Sequence, residues 1–267
     1  MAYKLMAVDI DGTLLNSKGE LTEKTKEAIR RGVQNGLIFT IATGRPVQGV
    51  EYLNRALGLD LPFITYNGAM VVMGKSGKIL YEQRLSFEDS RDIIELGKKY
   101  NTAQMIWVNN GLFVTIMDER ADKYKRIGRV EPVLAEDTDE LIKNGTTKVL
   151  WYDEVENIEK YQSEAGKVLK DTVVYHTSQP YFLEFVHKNA SKAIAMEKLG
   201  EYFGIARSEM IAVGDGFNDL SMIEYAGLGV AMSNAPVELK EKADYVTLSN
   251  DEDGVARVID RFVLAPI

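Results

Sequence analysis

The chain has 267 residues, which allows one elaborated domain or two smaller ones. Its formal net charge of −8 argues against nucleic acid or an anionic membrane surface as a partner. The absence of cysteine excludes a disulfide framework, a thiolate metal site and a thiolate nucleophile. Aspartates at 9 and 11 interrupt the N-terminus too early for a secretory segment, and no apolar run is long enough to span a membrane. We therefore expect a cytoplasmic protein, and nothing in the sequence indicates an obligate protein partner.

The first part of the chain alternates buried strands with helices. The apolar run 5–8 predicts a strand buried on both faces, and Thr22 is a suitable N-cap for a helix that continues to Gln34. A second strand is predicted over 37–42, a helix from Pro46, and a third strand over 63–66. This order indicates a parallel sheet with right-handed crossovers.

A hairpin and a more irregular segment follow. Residues 71–73 and 79–81 flank a glycine-containing turn, and the pattern changes near residue 82. The segment from 84 to 187 predicts a separate α+β unit, with a helix over 87–100 and a tight hairpin at Asn109-Asn110-Gly111. Its remaining predicted elements are strands over 105–108, 112–117, 147–152, 172–177 and 181–186, helices over 119–127 and 154–169, and a polar connection over 130–145.

The final segment returns to the pattern of the first. A helical apolar stripe ends at Phe203, the run 210–213 predicts another buried strand, and strands over 228–232 and 245–248 alternate with helices. The sequence therefore predicts an α/β, Rossmann-like parallel-sheet core made of residues 1–83 and 188–267, interrupted by an α+β insert over 84–187.

Polar residues follow several of the predicted core strands. They are Asp9-Ile10-Asp11, Thr43-Gly44-Arg45, Asn67-Gly68 and the segment 214–219, Gly-Asp-Gly-Phe-Asn-Asp. The carboxyl ends of parallel strands share one sheet edge, so four aspartates would meet there. Two such charges about 4 Å apart repel by roughly 4 kcal/mol at an effective dielectric of 20. A solvated acidic turn is the alternative, but an all-oxygen ligand set without cysteine or histidine favours Mg²⁺.

These motifs, in this order and with a later lysine at 192, resemble the haloacid dehalogenase-like hydrolase superfamily. The segments Tyr66-Asn67-Gly68-Ala69, 230–235 (Val-Ala-Met-Ser-Asn-Ala) and 252–256 (Glu-Asp-Gly-Val-Ala) resemble its Cof-type sugar-phosphatase branch. The match covers the whole chain, although the insert matches by position and size more than by residues. The resemblance implies a Mg²⁺-dependent phosphatase of small phosphorylated metabolites, with sugar phosphates as the expected class and the insert as a cap that sets specificity.

The resemblance also implies residue roles. Asp9 would be the nucleophile, which forms a phospho-aspartate, and Asp11 the acid and base that serves the leaving alcohol and then water. Phosphate would be bound by Ile10, Thr43, Gly44, Lys192 and Asn218, and the metal by Asp9, Asp215 and the backbone carbonyl of Asp11.

Three further residues are left open. Arg45 is as consistent with a structural role at a helix start as with substrate contact, and Asn67 could hold the nucleophile loop or meet substrate. Asp219 could cap a helix. Alternatively, it could bind the metal directly, or it could support the metal site or Lys192 without touching the metal. Two departures from the family pattern are Ala42, where many relatives carry a second threonine, and Ala193, where a glycine usually follows the lysine.

Two other functions fit the same motifs. A phosphomutase of the phosphomannomutase type would transfer the phosphoryl group to a second sugar hydroxyl instead of water. A phosphosugar-binding protein without turnover is the other alternative, although such a protein would not need the acid at Asp11.

Overall fold

The structure is a computed structural model that describes residues 3–265. Its strands, in chain order, are β1 (Leu5–Val8), β2 (Ile38–Ala42), β3 (Pro62–Thr65), β4 (Met70–Met73), β5 (Ile79–Glu82), β6 (Ala103–Val108), β7 (Gly111–Val114), β8 (Val133–Leu134), β9 (Lys148–Tyr152), β10 (Val173–Gln179), β11 (Phe182–His187), β12 (Met210–Gly214), β13 (Leu228–Ala231) and β14 (Tyr245–Val246). Its α-helices are α1 (Glu23–Gln34), α2 (Glu51–Leu57), α3 (Phe87–Lys99), α4 (Glu119–Gly128), α5 (Thr138–Ile142), α6 (Val155–Ala165), α7 (Lys192–Phe203), α8 (Leu220–Tyr225), α9 (Val237–Lys240) and α10 (Gly254–Phe262).

The chain divides into two compact units. One contains residues 3–45, 50–81 and 191–265, and the other contains Pro46–Gly49 and Glu82–Ala190. The boundaries between the two units, at 81/82 and 190/191, lie close to the boundaries predicted for the insert, 84 and 187. The short segment Pro46–Gly49 also groups with the second unit, which was not predicted. No helix within residues 3–265 is both long and apolar enough to cross a membrane.

The first unit is built on an eight-stranded sheet in the order β14-β13-β12-β1-β2-β3-β4-β5. Strand β1 lies in its interior and pairs in parallel with β12 on one side and β2 on the other. All four residues of β1 are fully buried, as expected for a strand covered on both faces. The predicted α/β class with a parallel-sheet core is therefore confirmed, although β4 runs antiparallel to β3.

Several local predictions differ from the structure. The helix expected from Pro46 begins as a 3₁₀ turn, Val47–Gly49, and becomes α-helical only at Glu51, after Val50. The strand predicted over 63–66 ends at Thr65, because Tyr66 takes a left-handed conformation with φ of 52°. The predicted N-cap of α1 is confirmed, since the Thr22 hydroxyl accepts a hydrogen bond from the Thr25 N–H.

The second unit contains a six-stranded sheet in the order β10-β11-β9-β6-β7-β8 together with helices, which is consistent with the α+β character predicted for the insert. Asn109 and Asn110 both have positive φ, which suits the predicted two-residue hairpin between β6 and β7. The segment 130–145, predicted as a polar connection, contains the short strand β8 and the short helix α5. The strand predicted to reach residue 117 ends at Val114, and the helix predicted to reach 169 ends at Ala165.

A buried ion pair lies within this second sheet. Lys148 Nζ on β9 is 3.0 Å from Glu184 Oε2 on β11, and both side chains are less than a tenth exposed. Ser178 Oγ donates a second hydrogen bond to the same carboxylate at 2.6 Å. Burial alone would lower the pKa of Lys148 and raise that of Glu184. The pKa of Lys148 is nevertheless raised and that of Glu184 is lowered. The attraction between the two groups, together with hydrogen bonding and other nearby groups, therefore outweighs the effect of burial on both pKa values.

We predict that Glu184→Gln lowers the free energy of unfolding by about 3–5 kcal/mol, because it leaves the Lys148 ammonium buried without its counter-charge. The double variant Lys148→Met/Glu184→Leu should cost much less, since it removes both charges. Urea unfolding of the three proteins measures this difference. The Glu184 contribution should be present above its ordinary pKa of 4.5 and be lost as the pH falls below it, because folding lowers this pKa. A single variant as stable as the wild type would contradict the prediction.

Candidate functional site

Residues from distant parts of the chain meet at the carboxyl ends of β1 and β12. Lys192, the first residue of α7, places its Nζ 2.6 Å from Asp9 Oδ1 and 2.6 Å from Asp219 Oδ1. One carboxylate oxygen from each of Asp9, Asp215 and Asp219 lies within 4.8 Å of the others. The Asp9 N–H donates to the Val213 carbonyl at 3.0 Å, which continues the pairing of β1 with β12 and sets the two loops side by side. The four residues therefore form one charged cluster, in which Asp9, Asp219 and Lys192 are buried and Asp215 is half-buried.

Burial, with a smaller contribution from neighbouring carboxylates, shifts the pKa values of two aspartates in this cluster upward. Burial raises the pKa of Asp9 to about 7, with Lys192 opposing the rise and Asp219 and Asp215 adding to it. Burial also raises the pKa of Asp215. Burial alone would lower the pKa of Lys192, but Asp9 and Asp219 outweigh it and the pKa is raised. Three carboxylates around one ammonium leave room for further positive charge, and an all-oxygen donor set suits a hard divalent cation such as Mg²⁺.

The loop after β1 allows Asp215 to approach closely. Gly12 has φ of 83°, and a Cβ at this position would lie 2.2 Å from Asp215 Oδ2. The next residue, Thr13, donates a hydrogen bond from Oγ1 to Asp215 Oδ1 at 2.6 Å. Thr13 is nearly fully buried, and it therefore fixes the orientation of a predicted metal ligand. Sequence reasoning did not single out Thr13.

Asp219 is engaged through both carboxylate oxygens. Its Oδ1 accepts from Lys192, and its Oδ2 accepts from the backbone N–H groups of Asp215 at 3.1 Å and Gly216 at 3.0 Å. A Cβ at Gly214 would lie 2.4 Å from the Asp219 side chain, so this approach also requires a glycine. These bonds favour a role in holding Lys192 and the 214–216 loop over direct binding of the metal.

The predicted acid Asp11 has a different environment from Asp9. Its carboxylate forms two hydrogen bonds with Arg45, at 3.0 Å from Nε to Oδ2 and at 2.6 Å from a terminal nitrogen to Oδ1. The Asp11 side chain is 63% exposed. Asp11 and Arg45 follow the neighbouring strands β1 and β2, and this adjacency was the signal that could have predicted the pair.

The predicted phosphate-binding residues lie at the same sheet edge, but they differ in their burial and in the atoms that they could offer to a phosphate. Thr43 is buried at the end of β2, and its backbone N–H donates to the Ile64 carbonyl at 2.9 Å. The Ile10 side chain is fully buried, so only its backbone could meet a phosphate. Asn218 is exposed on the turn Phe217–Asp219, which also carries Asp219. The structure thus brings Asp9, Asp215 and Lys192 into one cluster. Their roles, and those of Ile10, Thr43, Gly44 and Asn218, stay predictions.

Two asparagines hold the loop that follows β1. Asn234 Nδ2 donates to the Gly12 carbonyl at 2.8 Å, and Asn250 Nδ2 donates to the Leu15 carbonyl at 2.9 Å. The two are linked, since the Asn250 N–H donates to Asn234 Oδ1 at 3.1 Å. Asn234 lies in the motif 230–235 and Asn250 precedes the motif 252–256, so these late motifs support the loop that carries Asp11 and Thr13.

Comparison with known proteins identifies the family. Residues 6–259 match the family model of the haloacid dehalogenase-like hydrolases. The chain belongs to this family. Its resemblance to that superfamily, first seen in the short motifs, is therefore confirmed over nearly the whole length.

Three similar proteins illustrate the match. The chain is 34% identical over 268 residues to YxeH of Bacillus subtilis, with 98% of this chain and 99% of YxeH covered. It is 33% identical over 262 residues to the 5-amino-6-(5-phospho-D-ribitylamino)uracil phosphatase YcsE of the same organism, with 98% and 96% covered. Its fold is similar to the solved structure of the subclass IIB sugar phosphatase BT4131, with a TM-score of 0.79, 26% identity and 98% and 100% of the two chains covered.

We predict that Thr13→Val weakens Mg²⁺ binding by about 10- to 100-fold, because Asp215 loses the hydroxyl that orients it. Isothermal titration of the purified protein with Mg²⁺ measures this loss. The matched control is Thr40→Val, which removes a buried hydroxyl that bonds the Pro62 carbonyl on the neighbouring strand. Equal Mg²⁺ affinities for Thr13→Val and the wild type would show that Thr13 does not support the site.

Proposed function

We propose that this protein is a Mg²⁺-dependent phosphatase that hydrolyses small phosphate monoesters through a phospho-aspartate on Asp9. The observation that carries this proposal is the burial of the Asp9 carboxylate beside a fully buried lysine and a second aspartate. A buried carboxylate that is bonded to an ammonium, within a set of oxygen ligands able to bind a divalent cation, is suited to attack an anionic phosphate ester once that cation is bound. Family membership adds support, since the named relatives include phosphatases.

The metal would be held by the carboxylates of Asp9 and Asp215 and the backbone carbonyl of Asp11. Bound there, Mg²⁺ would supply the positive charge that offsets the phosphate oxygens and the aspartates. Lys192 adds one fixed positive charge, which is bonded to Asp9 Oδ1. Thr43 and Gly44 would bind the remaining phosphate oxygens.

The chemistry then has two steps. In the first, an Asp9 oxygen attacks phosphorus, the ester P–O bond breaks, and Asp11 gives its proton to the leaving oxygen. In the second, Asp11 takes a proton from water, the water oxygen attacks phosphorus, and the bond to Asp9 breaks to release inorganic phosphate. The exposure of Asp11 permits contact with a leaving group, and it allows Asp11 to take up from solvent the proton that it donates once its hydrogen bonds to Arg45 open.

Sugar and sugar-alcohol phosphates are the substrate class that we propose. One relative is named for a phosphate ester on a ribityl chain, and one similar structure is titled a sugar phosphatase. We further propose that residues 84–187 act as a cap that sets specificity. The cytoplasmic location and the absence of nucleic-acid, membrane and obligate protein partners stay predictions from the sequence.

A panel of sugar phosphates tests the reaction. We expect release of inorganic phosphate with Mg²⁺, and loss of that release both with EDTA and in Asp9→Asn. EDTA-insensitive hydrolysis, or turnover by Asp9→Asn, would contradict the proposed chemistry. A sugar bisphosphate accumulating in place of free phosphate would indicate a phosphomutase.

The role of Asp11 is tested by the leaving group. We expect Asp11→Asn to reduce hydrolysis of a sugar phosphate by about 10²- to 10⁴-fold, because the alkoxide then leaves without a proton. With p-nitrophenyl phosphate, whose leaving group needs no proton, the first step should persist. The variant should then show a burst of one p-nitrophenolate per enzyme, and mass spectrometry should find a phosphoryl group on the protein. Equal losses on both substrates, with no burst, would argue against Asp11 as the acid.

A further inference from the structure

Three consecutive residues after β3 have left-handed backbone conformations. The φ angles are 52° for Tyr66, 55° for Asn67 and 96° for Gly68. Glycine and asparagine tolerate this region, but a bulky residue such as tyrosine is an outlier there. The Tyr66 side chain is also fully buried. Small or polar residues are sufficient for a simple turn, so the backbone strain in this segment requires another explanation. We call residues 66–68 the YNG turn.

On one side, the YNG turn contacts the segment Thr43-Gly44-Arg45. The Asn67 N–H donates to the Thr43 carbonyl at 2.9 Å, and the Tyr66 N–H donates to the Arg45 carbonyl at 3.2 Å. The Asn67 side chain packs on Gly44, since a Cβ built there would lie 3.0 Å from both the Nδ2 and the Oδ1 atoms of Asn67. The position of the Gly44 backbone is therefore set by Asn67.

On the other side, the YNG turn contacts the start of α7. A Cβ on Gly68 would lie 2.1 Å from the Ser191 carbonyl oxygen and 2.6 Å from the Lys192 backbone nitrogen. These neighbours are backbone atoms, which cannot move aside as a flexible side chain would. Lys192 is the residue whose ammonium lies between Asp9 and Asp219.

We propose that the YNG turn is a rigid spacer that sets the distance between Gly44 and Lys192, with Asn67 as a positioning residue. This inference rests on the proposed function, in which both groups bind the phosphate of the substrate. Relaxing residues 66 and 67 to right-handed conformations would redirect the chain between its two contacts. One of the two phosphate-binding groups would then move, and the left-handed strain is the cost of keeping both in place.

The deciding variant is Asn67→Gly, because glycine adopts φ near 55° without strain and removes only the side chain that packs on Gly44. We expect the affinity for inorganic phosphate in the presence of Mg²⁺ to fall by about tenfold or more, and kcat on a sugar phosphate by about 10- to 100-fold. Mg²⁺ affinity and the thermal midpoint should stay at wild-type values, because the carboxylate cluster is untouched. A variant damaged only in its fold would instead lose Mg²⁺ affinity and thermal stability as well.

The matched control is Asn101→Gly in the second unit, where Asn101 has the same φ of 55°. It should leave phosphate affinity, kcat and Mg²⁺ affinity unchanged. A second variant, Gly68→Ala, forces a Cβ against the Ser191 carbonyl and should weaken phosphate binding more than Asn67→Gly does. If Gly68→Ala does not fold, Asn67→Gly decides alone.

Wild-type phosphate affinity in Asn67→Gly would overturn the inference, as would wild-type affinity in a folded Gly68→Ala protein. The phosphate titration requires no turnover, so it separates the two proposals. If the wild-type protein binds phosphate more tightly than Asn67→Gly does but hydrolyses no monoester, the spacer would be supported and the phosphatase refuted. A wild-type protein that does not bind inorganic phosphate would contradict both.

Discussion

The buried ammonium of Lys192 is the constraint on which the site depends. It is fully buried, and it is compensated by Asp9 on one side and Asp219 on the other. An uncompensated charge at this depth would cost several kcal/mol, so the two carboxylates cannot be moved independently of the lysine. Lys192 is also the first residue of α7, where the helix dipole disfavours a cation. The helix is nonetheless capped by Ser191, whose hydroxyl accepts from the Ile194 N–H, so α7 begins at this residue in spite of the lysine.

Close backbone approach brings the remaining parts of the site to this lysine. Gly12 and Gly214 leave space for Asp215 and Asp219, and in both places a Cβ would overlap the aspartate side chain. Asn234 and Asn250 then hold the loop after β1 by its carbonyl groups. The site is therefore organised by backbone contacts as much as by charge. These contacts explain why segments far from Asp9 in sequence belong to the family pattern.

Much of this arrangement follows from local rules. The apolar run of β1, the Thr22 cap and the Asn109-Asn110 hairpin are determined within a few residues, and each was predictable from the sequence. The shared edge of parallel strands likewise brings Asp9 and Asp215 together without knowledge of the side-chain contacts. The pairing of Arg45 with Asp11 and the hydrogen bond from Thr13 to Asp215 depend on rotamers across two loops, which no sequence period encodes.

The left-handed conformation of Tyr66 was not predictable for a different reason. Its apolar ring and its place after Phe63, Ile64 and Thr65 favour continuation of the strand. This local preference was overridden by the hydrogen bond from the Tyr66 N–H to Arg45 and by the close approach of the nearby Gly68 to the start of α7. Such disagreement between local preference and structure is typical of functional sites.

Asp9 and Asp11 are only two residues apart, but their identical side chains lie in different environments, which suit the different roles proposed for them. Asp9 is buried, and burial raises its pKa to about 7, whereas Asp11 is exposed and bonded to an arginine. A nucleophile must be ionised to attack, so burial works against the role proposed for Asp9 unless positive charge is added. Lys192 supplies part of that charge but shares it with Asp219. The remaining deficit is what a divalent cation beside Asp9 and Asp215 would supply, and this is why the proposed phosphatase activity should depend on the metal as well as on the nucleophile.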